Sequence, residues 1–123
     1  MASADDIRAA VRRYLDTVAD GSATDIAALY AEDATVEDPV GTPPHVGRAA
    51  IEKFYSALGS VRVSTELHSV RVAGHEAAFA FRVVTDTGEQ TITIDPIDVM
   101  TFDENAQITS MRAFWSQDDI SLG

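Results

Sequence analysis

A chain of 123 residues, 46% of them hydrophobic, is long enough for one domain with its own core and too short for two ordinary ones. Its 20 acidic residues against 9 basic ones give a net charge of -11, which repels phosphate backbones and anionic lipid, so neither nucleic acid nor a membrane is an expected partner. The absence of cysteine excludes disulfides, thiolate nucleophiles and most structural zinc sites. MASADDIRAAVRRY places acids where a secretion signal needs basic residues, and no apolar run is long enough to span a bilayer, so a cytoplasmic location is expected.

Ser3 and Asp6 form an N-cap pair, and Ile7, Val11, Tyr14, Leu15 and Val18 follow at helical spacing, which predicts a first helix with Tyr14 pointing inward. Gly21 ends it, Ser22 to Asp25 offers a second cap, and Ile26, Leu29 and Tyr30 supply the stripe of a short second helix that completes a hairpin. ATVED, residues 34–38, alternates as a short strand with Val36 and Asp38 on one face, before Pro39, Gly41, Pro43 and Pro44 impose a loop. After Gly47, the positions Ile51, Phe54, Tyr55 and Leu58 mark a third amphipathic helix, closed by Gly59.

From residue 61 the period becomes two, through VRVSTELHSVRVA, EAAFAFRVVTD, EQTITIDPIDVMTFD and AQITSMRAFWS, with turns at Gly74, Gly88 and Glu104 to Ala106. The pattern predicts an α+β fold in which three N-terminal helices pack on a curved, mainly antiparallel sheet. That sheet would form a cone-shaped barrel around a pocket, with residues 1–123 making a single domain.

In the third long strand the even positions Ile92, Ile94, Pro96, Asp98, Met100 and Phe102 share a face, and Asp98 is the one ionisable group on it. A carboxylate among such neighbours loses its hydration, so Asp98 is expected to be protonated near neutral pH. Pro96 leaves a second outcome open, a bulge that shifts the register and turns Asp98 to solvent. On local pattern alone Asp38 reads as a turn opener before proline, and Tyr14 as an ordinary core residue. Glu37 points away from Asp38 and receives no role. His45, His68 and His75 fall in a loop, a strand and a turn, without metal-site spacing, and no glycine-rich turn has phosphate-binding spacing. No metal or cofactor is expected.

Taken together, RRYLDTVADG, YAEDATVEDPVGTPPHVGR, IDVMTFDE and AFWS resemble the bacterial 3-ketosteroid isomerases, a family of the cystatin-like, nuclear-transport-factor-like superfold. The resemblance runs from about residue 7 to 118 and is loosest between 59 and 77. It implies that Asp38 is the proton-shuttling base, that Tyr14 and a protonated Asp98 donate to the substrate oxyanion, and that Tyr55 and Tyr30 extend a hydrogen-bond chain behind Tyr14. Ketosteroid isomerases are the type case of a carboxyl held neutral at pH 7 so that it can donate, and the role of Asp98 is carried over from them.

The resemblance further implies that Phe54, Phe81, Met111 and Trp115 are apolar walls of a steroid pocket, and Met111 and Trp115 also share strand parity. The implied reaction moves a 5,6 double bond of a 3-ketosteroid to the conjugated 4,5 position through a dienolate, without a cofactor. The implied partners are a small-molecule steroid and a second copy of the chain, in a homodimer that would cover Ile97 and Val99 on the outer face of the sheet. Two departures from the family, His45 directly after the prolines and Phe79 in place of a smaller apolar side chain, bear on the pocket mouth. A polyketide cyclase or hydratase of the same fold, a non-catalytic steroid or lipid carrier, and a protein-interaction module are the rival readings.

Overall fold

Two serines start the first two helices. The computed structural model, which describes residues 2–57 and 61–123, has α1 at Ala4–Asp20 and α2 at Ala23–Ala27. The Ser3 hydroxyl accepts from the Asp6 amide at 3.0 Å, and the Asp6 carboxylate accepts from the Ser3 amide at 3.2 Å; Ser22 and Asp25 repeat the exchange at 3.1 Å each way. Each reciprocal cap satisfies two amides and places a negative charge at the positive end of the helix dipole. Ile7, Val11, Tyr14 and Leu15 turn into the core as their spacing predicts, and Gly21 closes α1 with its amide on the Thr17 carbonyl.

The second helix is shorter than its stripe suggests. Tyr30 is not on it but opens β1, Tyr30–Glu37, because the Ile108 amide takes the Leu29 carbonyl and draws the chain into the sheet. The third helix, α3, spans Arg48–Ser56 and buries Ile51 and Tyr55, while Leu58 and Gly59 lie outside the described residues. Ile7 and Ile51 retain no exposed surface, and such fully buried aliphatic side chains contribute about 1.5–3 kcal/mol each.

The remaining strands are β2 (His45–Val46), β3 (Arg62–Ala73), β4 (Glu76–Asp86), β5 (Thr91–Ile94), β6 (Ile97–Phe102), β7 (Ile108–Phe114) and, after one 3-10 turn, β8 (Ile120–Leu122). β1 runs parallel to β7, and the other pairings are antiparallel. The sheet passes from β2 through β1, β7 and β6 to β4, which carries β3 on its other side; β5 continues the β6 side of β4 and pairs with β8. Among the described residues β2 pairs only with β1 and β3 only with β4, so the sheet curves around the helices without closing. The expected barrel is therefore an open sheet, with α1 packed across β3. No described helix is long and apolar enough to cross a membrane.

The predicted third long strand is in fact two strands, separated at Asp95 and Pro96, where proline has no amide to give the ladder. The interruption does not shift the register. β5 and β6 pair with β4 as one continuous ladder, from Asp86 opposite Thr91, through Val83 opposite Ile94, to Ala80 opposite Ile97 and Glu76 opposite Thr101. Arg82 holds Asp95 across the gap with bonds of 2.8 and 3.1 Å. Parity survives, and Pro96, Asp98, Met100 and Phe102 all turn inward and are buried. Two short strands had no period for the sequence to display. His45 lies in β2 opposite Val36, not in a loop, and β8 is built from the C-terminal tail.

Candidate active site

The end of β1 and the middle of β6 are joined by β7. Glu37 pairs with Arg112 in the parallel β1–β7 ladder, which brings the next residue, Asp38, level with Ala113; Asp98 pairs with the same Ala113 from the other side. The two aspartates thus occupy one row of the sheet, two strand spacings apart, with roughly 10 Å between their Cα atoms. Ala113 is the floor between them, and its methyl group leaves the space above it open. The Val40 amide bonds to the Ala113 carbonyl at 2.8 Å, which ties the loop after Asp38 to this floor.

Above the row lies a cavity of about 260 Å³, lined by Asp38, Asp98 and Ala113 together with Tyr14 and Val18 of α1, Phe54 and Tyr55 of α3, and Trp115 just beyond β7. The rest of the wall is Phe81, Val83 and Thr85 of β4 with Ile94 and Pro96. Phe54 packs edge-on against Tyr55 at 5.1 Å and is itself backed by the His45 ring at 4.5 Å. Phe79 stands behind Phe81 at 5.4 Å and supports the Tyr14 ring at 6.4 Å. Phe79 therefore shapes the site from behind and does not narrow its mouth.

Met111 is the sequence-predicted wall residue that the structure places elsewhere. It shares the inward face with Ala113 and Trp115, but it pairs with Val36 on one side and Met100 on the other and is fully buried in the core beneath the cavity. Ala113, Val18, Val83, Thr85, Ile94 and Pro96 line the cavity without having been singled out as lining residues. Strand parity signals the first of them, two positions from both Met111 and Trp115, but only the topology shows that Ala113 separates two carboxylates.

The three tyrosines converge from three elements. The Tyr14 and Tyr30 hydroxyls each lie 2.9 Å from the Tyr55 hydroxyl, so Tyr55 is the middle of a buried chain. Burial pushes all three phenols well above their ordinary pKa of 10.0, and each remains a neutral donor at any ordinary pH.

Asp98 is 2% exposed, and its Oδ1 has no hydrogen-bond partner among the described residues. Such an unsatisfied buried atom costs about 1–3 kcal/mol. Burial first, then the neighbouring Asp38 charge, raise the Asp98 pKa well above the ordinary carboxylate value and favour its protonated form. Asp38 is less enclosed. Burial raises its pKa too, but the Trp115 indole N–H donates to Oδ1 at 2.7 Å and, with His45 nearby, opposes that rise. Both carboxyl groups in the row are thus raised above the ordinary carboxylate value, Asp98 well above it, while the Trp115 donor opposes the rise at Asp38. Among the described residues no three metal-ligating side chains converge.

The profile of the SnoaL-like domain matches residues 11–111. The chain belongs to the SnoaL-like family. It is 64% identical over 116 residues to a curated Steroid Delta-isomerase of Nocardioides simplex, a match covering 94% of each chain. Among solved structures it superposes with a TM-score of 0.91, at 28% identity and over the full length of both chains, on SalBIII, an epoxide hydrolase/cyclase-like enzyme with a role in pyran ring formation in polyether salinomycin. RV0760c from Mycobacterium tuberculosis superposes at 0.89 with 19% identity, again over both full chains, and shares the fold.

Proposed function

We propose that this SnoaL-like domain, acting as a single unit over its 123 residues, is a steroid delta-isomerase. The observation that carries the reading is a pair of aspartates, Asp38 and the buried Asp98, in one row beneath a largely apolar cavity, in a chain 64% identical to a curated enzyme of that name. A C–H between a ketone and an isolated double bond is a weak acid, and a carboxylate removes its proton only if the enolate oxygen is stabilised as it forms. Asp38 takes the proton from C4. The C–H electron pair becomes the C3–C4 double bond of a dienolate as the carbonyl pair moves onto oxygen, where Tyr14 and Asp98 form an oxyanion hole. Asp38 then returns the proton to C6, the oxyanion collapses to the ketone, and the double bond lies at C4–C5 in conjugation.

In this reading Tyr30 and Tyr55 fix the direction of the tyrosine chain, with Tyr30 donating to Tyr55 and Tyr55 to Tyr14, so that the Tyr14 proton is turned to the substrate. Phe54, Phe81 and Trp115 hold the apolar rings. Incubation with a 5-ene-3-ketosteroid tests the function: growth of the conjugated-enone ultraviolet band supports it, and binding without any enone product contradicts it. The likeness to SalBIII favours a cyclase as the second reading, which a ring-closed product from a hydroxy-epoxide substrate would support.

Trp115 has a separable role through its bond to Asp38. Trp115→Phe keeps an aromatic wall and removes the donor that lowers the Asp38 pKa, so the acid limb of the kcat/KM profile moves toward higher pH. An acid limb that stays in place would leave Trp115 as wall alone.

The outer face of the sheet supports a homodimer. Ile97 and Phe114 pair across β6 and β7 and are 50% and 42% exposed, an apolar strip that a second copy covers. Sedimentation equilibrium is expected to give a dimer that Ile97→Glu weakens, and a wild-type monomer at every concentration would contradict it.

A further inference from the structure

One polar side chain on the cavity wall has no part in the proton transfer. Tyr14, Asp38, Tyr55, Asp98 and Trp115 cluster at the reacting end, and every other described lining residue is apolar except Thr85. Alternation along β4 puts Phe79, Phe81, Val83 and Thr85 on one face, and the register sets Phe79 opposite Asp98 but Thr85 opposite Ile92. Phe79 and Phe81 are buried and Val83 and Thr85 half-buried, so the wall runs from the closed, reacting end out to a mouth at Thr85. The neighbouring threonines are committed, Thr65 to the Leu15 carbonyl and Thr87 to the Gln90 carbonyl, whereas the Thr85 hydroxyl has no partner among the described residues.

The inference rests on the isomerase reading and concerns its substrate. A rigid four-ring skeleton with its ketone oxygen at Tyr14 and Asp98 lies along Phe81 and Val83 and brings its farthest ring to Thr85. At about 260 Å³ the cavity is small beside the roughly 300–1,000 Å³ usual for small-molecule sites, so such a ligand fills it from end to end. We propose that Thr85 is a specificity residue whose hydroxyl binds an oxygen substituent on the ring farthest from the reacting ketone. A hydroxyl both donates and accepts, so it suits a distal ketone and a distal alcohol alike.

The test compares kcat/KM for 5-androstene-3,17-dione and 5-androsten-3-one, which differ only in the distal oxygen, in the wild type, Thr85→Val and Thr85→Ser. Valine replaces the hydroxyl with a methyl group of similar size, and turnover of the 3-one checks that the variant is folded. The preference for the dione over the 3-one is expected to be roughly 3- to 10-fold greater in the wild type than in Thr85→Val, the effect of one neutral hydrogen bond. The loss should fall on KM for the dione, with serine restoring it. Taking the ratio between enzymes cancels the steroids' own difference in hydration. Equal preference in wild type and Thr85→Val, with both steroids turned over, overturns the role of Thr85. Failure of the wild type to isomerise either steroid overturns the isomerase reading on which that role rests.

Discussion

Asp38→Asn is expected to lower kcat by roughly 10⁴-fold, the upper end of what a positioned acid–base group contributes. Asparagine has nearly the same shape and can still meet the Trp115 indole through its carbonyl oxygen, so the wall and the cavity are preserved. What is lost is the proposed proton acceptor, since burial favours the protonated forms of Tyr14, Tyr55 and Asp98. The variant should melt no lower than the wild type, because burial already disfavours the Asp38 charge and the amide removes that cost. Retained steroid binding with lost turnover places Asp38 in the chemical step. Full turnover in Asp38→Asn would remove it from that step.

Tyr14→Phe and Asp98→Leu should each lower kcat by about 10²–10³-fold, the usual effect of deleting one oxyanion donor. The two losses are not expected to multiply fully, because both groups are proposed to serve one oxygen and Tyr55 also borders the cavity. Asp98→Asn separates donation from packing, since its amide still offers an N–H from the same buried position. Activity recovered by asparagine relative to leucine supports Asp98 as a donor, and Asp98→Leu at the wild-type rate would contradict it. A steady-state series under conditions where chemistry limits turnover gives the comparison.

The helical half of the fold was legible because its signals are local. Ser3 with Asp6 and Ser22 with Asp25 are complete caps within four residues, and the Ile7 to Val18 stripe needs nothing from elsewhere in the chain. Tyr30 has a spacing from Ile26 that suits a helix, while the contact that draws it into β1 comes from Ile108, far along the chain. The inward face of Asp98 was legible through parity, and it survived Pro96 only because β4 templates β5 and β6 in one register. The shared row of Asp38 and Asp98 could not be read from sequence at all, since it depends on β7 lying parallel to one strand and antiparallel to the other. Met111 shows the limit of parity, which separates inside from outside but not cavity wall from core. The roles of the site residues come from family likeness; the geometry brings Tyr14, Asp38, Asp98 and Trp115 to one cavity and leaves Met111 in the core.

A relay of one proton by one carboxylate across the face of a dienolate is tested most directly by following the proton itself. A 5-ene-3-ketosteroid carrying deuterium at C4 is converted by the wild-type protein and the product examined by NMR. Apolar walls around Asp38 slow exchange with water, so the expected product is a 4-ene-3-ketone with a substantial fraction of the transferred deuterium at C6. Product formed without deuterium at C6, under conditions where the substrate keeps its label, would contradict a relay by Asp38.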